Sequence, residues 1–289
     1  MPAIIFRSSN RLLIGKTFWK NIALPRILFA TPVIPLTQDF IQKLQRIENK
    51  AYRSIFNASI ITPISVLRGE IGSSLMNSRI EKNKIVFVKH LITSNNNLIK
   101  SITQQQLHEP RSPWARETTR ILRTNNLNLL RLNIMNKNDI KKIIIEKDTL
   151  LWEENIIRKS SLKIYNEYKN KMKQESFYTN SYASNLLFKC RTNTLTLKDR
   201  NRFQQGDTKC PCCPHTYEDL EHFLLFCEEY SSYRKEIVCL QQPYPEDTSS
   251  TIATLLLFME KPANKQIETM NYIKKIYNIR KKKIEINLT

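Results

Sequence analysis

The chain has 289 residues, enough for one large or two small domains, and 41% of them are hydrophobic, enough to fill a sizeable core. Its 46 Lys and Arg outweigh 26 Asp and Glu, a net charge of +20, which points to a polyanionic partner with nucleic acid as the leading candidate. The four glycines, Gly15, Gly69, Gly72 and Gly206, cannot write a G-x-G-x-x-G fingerprint or a G-x-x-x-x-G-K phosphate loop, so those two nucleotide-cofactor folds are excluded.

Residues 1–6 are apolar, but Arg7, Ser8, Ser9, Asn10 and Arg11 follow at once, without the apolar region and cleavage site of a secretory signal. No uninterrupted apolar run approaches the roughly 18 residues that span a bilayer; residues 22–36 are broken by Arg26. An intracellular protein, nuclear or cytoplasmic and without a membrane partner, is therefore expected.

The rest reads as mainly α. After a segment marked by Pro25, Pro32 and Pro35, Thr37 can cap a helix whose expected core face is Phe40, Leu44, Ile47, Ala51 and Ile55. Lys43, Arg46, Lys50 and Arg53 recur at helical spacing on its other side, a cationic stripe suited to tracking phosphates. Arg68-Gly69-Glu70-Ile71-Gly72 predicts a tight bend or close backbone approach. A second helix carries Met76, Ile80, Lys84, Phe87 and Leu91, and Pro110 with Pro113 marks a boundary. Residues 115–175 alternate apolar and polar side chains as packing helices do. Residues 241–250 read as a linker before a basic helix from about Asn264 to Lys283, where Lys274, Lys275, Arg280, Lys281, Lys282 and Lys283 crowd its end.

The strongest chemical signal is Cys210-Pro-Cys212-Cys213, eight residues, His222, four residues, Cys227. A C-x-x-C turn offers two thiolates to one side of a zinc ion, and a downstream helix can supply the other two ligands. Thr216 can cap that helix through Glu218, Asp219 and Leu220 and place His222 about one and a half turns in. Cys227 then falls about 140° around an ideal helix from His222, so the helix must end or distort for both to reach one ion. Cys212 could replace Cys213 and His215 could replace His222. A Cys at i+2 closes the knuckle poorly, however, and His215 stands too near the pair, which favours Cys210, Cys213, His222 and Cys227. Three thiolates and an imidazole leave no position for water, so one Zn2+ there would be structural and non-catalytic. Phe223, Leu224, Leu225 and Phe226 would pack the module against a neighbour. Cys190 and Cys239 read as ordinary buried residues, and His90 and His108 as bystanders.

Three stretches resemble the zinc-binding domain that follows the reverse transcriptase of non-LTR, LINE-type retrotransposons. They are Leu186-Leu187-Phe188-Lys189-Cys190-Arg191-Thr192, Lys198-Asp199-Arg200-Asn201-Arg202-Phe203, and the Cys-His cluster with Glu218-Asp219-Leu220-Glu221 before His222. Trp19-Lys20-Asn21-Ile22-Ala23-Leu24-Pro25, Leu44-Gln45-Arg46-Ile47-Glu48-Asn49-Lys50 and Leu67-Arg68-Gly69-Glu70-Ile71-Gly72 look like the thumb and post-thumb region of the same polyproteins. The resemblance implies a thumb-like helical lobe over residues 1–110, connecting helices over 111–200, a zinc-binding module over 201–240, and the linker and basic helix over 241–289. Polymerisation in the family uses an aromatic-x-Asp-Asp turn that holds two magnesium ions. This chain has no Asp-Asp; Asp39, Asp139, Asp148, Asp199, Asp207, Asp219 and Asp247 are isolated.

The expected protein is therefore a retrotransposon-derived fragment that binds zinc and RNA or DNA and does not polymerise by itself. The missing polymerase portion of the polyprotein is a further expected partner. Lys43, Arg46, Lys50, Arg53, Lys281, Lys282 and Lys283 are its candidate nucleic-acid contacts. Two alternatives compete: a metal-dependent, restriction-like nuclease using Asp247 and Glu260, and a structural protein-interaction module.

Overall fold

Helices form where the apolar residues recur at threes and fours, and among the described residues there is no strand, so the fold is mainly α. A computed structural model describes residues 11–109, 111–199, 206–213, 217–237, 248–259 and 261–288. In chain order, the helices are α1 (Arg11–Phe18), α2 (Leu24–Leu28), α3 (Gln38–Phe56), α4 (Ile64–Ile71), α5 (Met76–Ile92), α6 (Asn97–His108) and α7 (Pro113–Thr124). They continue as α8 (Leu129–Ile134), α9 (Lys137–Ile157), α10 (Lys163–Tyr168), α11 (Tyr182–Arg191), α12 (Ser231–Arg234), α13 (Thr248–Leu255) and α14 (Ala263–Leu288). The chain divides into two compact units, one of Met1–Ile55 with Gly72–Glu154, the other of Phe56–Ile71 with Asn155–Thr289. No helix among the described residues is long and apolar enough to cross a membrane.

In the first unit, a π-turn over Trp19–Ala23 joins α1 to α2, with the Leu24 N–H reaching the Trp19 carbonyl. The widened turn lets Pro25, which has no N–H to donate, sit at the start of α2 inside a continuing helical run. Thr37 caps α3 as the sequence predicts, its hydroxyl accepting from the Phe40 N–H at 3.3 Å.

The buried face of α3 is turned from the one expected: Leu44 and Ile55 are buried as expected, but Phe40 and Ile47 are about half exposed, and Ile41, Glu48 and Tyr52 are buried in their stead. Glu48 is tolerated there because Arg79 pairs with it and Trp19 Nε1 donates to it at 3.4 Å. Arg79 also reaches Ser73 Oγ at 2.7 Å. A buried charge that is paired and hydrogen-bonded fills a core position that a count of apolar residues assigns elsewhere. Ile41 and Leu44 pack on Met76 and Ile80, flanked by Leu24, Ile27, Leu28 and Leu36.

Lys84 on α5 is fully buried and pairs with Glu117 of α7, and Glu117 also accepts from the Leu36 N–H at 3.1 Å. Beyond this polar tie, Ile85 and Val88 pack with Ile121, Leu122, Leu127, Leu132, Ile140 and Ile144. Helices lie on both sides of Pro113 within this unit. Asn96, Ser112 and Asn128 cap α6, α7 and α8 through their side chains.

In the second unit, α4 is buried along its length from Ser65 to Ile71. Gly69 lies inside this helix, whereas Gly72 follows it at φ 69°, the left-handed conformation that ends a helix at low cost for glycine. The bend predicted for residues 68–72 is thus at Gly72 alone. Glu70 points from α4 to Arg191 of α11, with Nε–Oε2 3.1 Å and Nη2–Oε1 3.2 Å, and Tyr178 donates to the same carboxylate. The Arg191 guanidinium lies 4.0 Å from the Phe258 ring centroid and donates to the Leu256 carbonyl at 2.7 Å. Phe56, Tyr178 and Phe188 make an edge-packed aromatic cluster beside this pair. Cys190 is buried, as expected, and burial pushes its thiol up to about 12. Cys239, Asp247 and Glu260 lie outside the described residues, as does most of the predicted 241–250 linker.

Candidate metal centre

Cys210, Cys213, His222 and Cys227 bring one ligand atom each to within 4.8 Å of one another. Cys210 Sγ lies 3.9 Å from Cys227 Sγ, and Cys213 Sγ lies 3.3 Å from His222 Nε2. A tetrahedral ion with metal–sulfur bonds of about 2.3 Å spaces its sulfurs about 3.8 Å apart, close to the Cys210–Cys227 distance. Three soft or borderline sulfurs and an imidazole nitrogen suit a tetrahedral divalent ion. The residues therefore fit one metal ion, with Nε2 as the ligating atom of His222.

Two backbone devices create this geometry. Asp219 caps the helix: its Oδ1 accepts from the His222 N–H at 2.7 Å, which puts His222 in the first turn and not one and a half turns in. Thr216 and His215 lie outside the described residues. From His222 to Phe226 the helix then widens into a π-turn, and the Cys227 N–H bonds to the His222 carbonyl at 2.8 Å. A bond between residues five apart closes one full turn, so Cys227 comes round above His222 on the same side. Cys227 itself is extended, at φ −60° and ψ 120°, so the helix both distorts and ends where the spacing demands.

Cys212 does not join the set. Its sulfur lies 3.1 Å from Tyr230 Oη, while Cys213 faces His222. Thiols packed this tightly share protons: hydrogen bonds with Cys212 and then Cys227 draw the Cys210 thiol far down, and bonds with Cys210 push the Cys212 and Cys227 thiols up. A cation that binds here takes the place of the remaining thiol protons. His222, Cys210 and Cys227 are buried, and Phe223, Leu224 and Leu225 between the last two ligands are fully buried, whereas Phe226 is 40% exposed. Tyr272 of α14 donates to the Leu224 carbonyl at 2.7 Å, so the spacer packs against the C-terminal helix.

Glu218 anchors the module from one residue before the cap. Its carboxylate receives Arg280 through Nε at 2.6 Å and Nη2 at 2.7 Å, and the Lys198 N–H at 2.8 Å. Its backbone bonds to Asp199 and Thr208. Arg280, which the sequence groups with the basic cluster at the end of the helix, is buried in this pair. Its spacing from Ile273 and Ile276, both fully buried, was the available signal that it faces inward.

The basic residues expected to meet nucleic acid have mixed surroundings. Lys43, Arg46 and Lys50 are exposed on α3, with Lys43 paired to Asp39 at 2.7 Å, and Arg53 is half-buried. On α14, Lys282 is exposed, Lys281 pairs with Glu285 at 3.7 Å, and Lys283 pairs with Glu229 at 3.3 Å. Lys275 lies 4.2 Å from the Tyr233 ring centroid and near Glu236. Of the blocks that carried the family resemblance, residues 200–203 lie outside the described residues. No protein-family model, curated protein or solved structure matches this chain.

Proposed function

We propose that this chain is a retrotransposon-derived protein that holds one structural zinc ion and binds RNA or DNA, without a polymerase centre of its own. The observation that carries the reading is the four-donor cluster of Cys210, Cys213, His222 and Cys227 within 4.8 Å, at a spacing that resembles the zinc-binding domain of LINE-type polyproteins. Zinc supplies a crosslink between the Cys210 loop and the His222 turn, with four protein ligands and no site for a reactive water. Phosphate contacts by Lys and Arg would then dominate binding, with weak sequence preference. The +20 charge supports that role, and the absence of paired aspartates argues against polymerisation.

The test is metal stoichiometry on the purified chain, together with titration of labelled single-stranded RNA and duplex DNA at two salt concentrations. One zinc per chain and an affinity that falls steeply with salt are expected. Absence of zinc would overturn the site assignment, and one zinc without nucleic-acid binding would leave only a structural module.

A further inference from the structure

A groove of about 510 Å³ runs along α7 in the first unit, lined by Leu107, Glu109, Arg116, Thr119, Arg120 and Arg123 among others. The three arginines stand at i, i+4 and i+7, so at about 100° per residue they share an arc of about 60°. From Arg116 to Arg123 they extend about 10.5 Å along the helix at 1.5 Å per residue.

The opposite face of α7 fixes the platform. Thr118, Ile121 and Leu122 are buried, Ser112 caps the first turn, and Trp114 Nε1 donates to the Pro32 carbonyl at 2.8 Å, while the buried Ala115 forms part of the groove floor. Glu117, the helix's own carboxylate, is turned inward to Lys84. The outward face therefore carries arginine charge undiluted by acid from its own helix. All three arginines are exposed, and among the described residues no carboxylate forms an ion pair with any of them. Glu109, the carboxylate at the rim, accepts from the Arg111 N–H at 3.1 Å. This contrasts with Lys43, Lys281 and Lys283, each of which already has an acidic partner.

We infer that the Arg116–Arg120–Arg123 groove is a phosphodiester-binding site, taking the backbone of a nucleic-acid strand along α7. Guanidinium forks bind phosphate oxygens in pairs, and three of them in a row on a rigid helix match a regularly repeated anion better than a single headgroup or free phosphate. Thr119, between them, offers a hydroxyl to the same oxygens. The inference rests on the nucleic-acid reading above and gives it a surface that the sequence did not single out.

The experiment uses the full chain loaded with zinc, with fluorescein-labelled single-stranded RNA, single-stranded DNA and duplex DNA of one sequence, and polyglutamate as an anionic control. The triple variant Arg116→Ala, Arg120→Ala, Arg123→Ala is expected to bind at least about tenfold more weakly at 50 mM salt. Its plot of log K against log salt should be shallower by about 2 to 3, at about 0.7 to 0.9 per lost phosphate contact. The triple Arg→Lys variant, which keeps the charge and removes the fork, should recover most of the slope, and an unchanged helical circular dichroism spectrum excludes unfolding. A wild-type chain that binds while the alanine variant keeps both affinity and slope would overturn the groove and leave the nucleic-acid reading standing. A wild-type chain that binds none of the probes would overturn both. Polyglutamate binding as tight as nucleic acid and lost in the same variant would overturn the phosphodiester assignment in favour of an acidic protein.

Discussion

The Arg280 guanidinium grips the Glu218 carboxylate at both ends, 2.6 Å at Nε and 2.7 Å at Nη2, one residue before the side chain that caps the His222 turn. The C-terminal helix is thereby tied to the backbone that aims a metal ligand. Both side chains are almost wholly buried, so the pair behaves as an internal strut and not as a surface ion pair.

Arg280→Ala leaves Glu218 charged and buried without its partner. It is expected to cost about 3–5 kcal/mol of stability, whereas Lys282→Ala on the exposed side should cost less than about 0.5 kcal/mol. Thermal and urea denaturation of the two variants with zinc present, beside the parent chain, decides this; equal midpoints for both would contradict the strut.

Metal stoichiometry separates the two neighbouring cysteines. Cys213→Ala should lose the ion, and Cys212→Ser should keep one ion per chain, because Cys212 is outside the four-donor set and its sulfur lies 3.1 Å from Tyr230 Oη. Cys227→Ala should unfold the module, with loss of a metal-binding free energy of order 10 kcal/mol, and leave the helices of the first unit intact. Protease mapping by mass spectrometry reads this out, and a protected segment around residues 206–237 in the variant or in a chelator would count against it.

The Glu70–Arg191 pair sets a pH dependence. Burial by itself would raise the Glu70 carboxyl, but Arg191 and then Lys169 beside it hold it below the usual carboxylate range. Its folded pKa lies below its unfolded value of about 4.3, so its stabilisation is complete above that value and is lost as pH falls through the folded one. Glu70→Gln should therefore destabilise the chain by about 3–5 kcal/mol at pH 7, and the gap from the parent should narrow below about pH 4. Denaturation midpoints from pH 7 to pH 3 test the sign; a gap that widens in acid would reject it.

Reversing charge on the α3 stripe with Lys43→Glu and Lys50→Glu should weaken nucleic-acid binding and flatten its salt slope by about 1.8 for duplex DNA, two contacts at about 0.9 each. Arg53→Glu should instead lower stability, since Arg53 is half-buried and burial already disfavours its charge. An unchanged slope in the Lys43→Glu, Lys50→Glu variant would return that face to solvent.

The helical class was legible because side chains three and four apart share a face, and the metal cluster was legible because ligand spacing is a local property. The buried face of α3 was misread for a definite reason. Glu48 and Tyr52 look like surface residues until Arg79 and Ser73, some twenty to thirty positions away, are brought to them. Glu70 and Arg191 hid in the same way, because a charge enters a core only with a partner and a local window cannot see that partner. Asp219 is visible in the sequence as a capping residue type, and the bond from the His222 N–H to its side chain is what identifies it as the cap. The groove on α7 needed its lining from the end of α6 before three regularly spaced arginines became a concave site.

The widened turn between His222 and Cys227 brings the two donors together by completing a turn and not by a fixed count of residues. Four intervening residues close one π-turn, and three would close one α-turn, after which residues four apart again lie only about 40° around the axis from each other. Either length presents both donors to the same point. The surplus side chain is then free to differ from the buried Phe223, Leu224 and Leu225, and Phe226 at 40% exposure is where the extra length is carried. The segment is thereby strict about winding and lenient about length: what it must keep is one completed turn between the two donors.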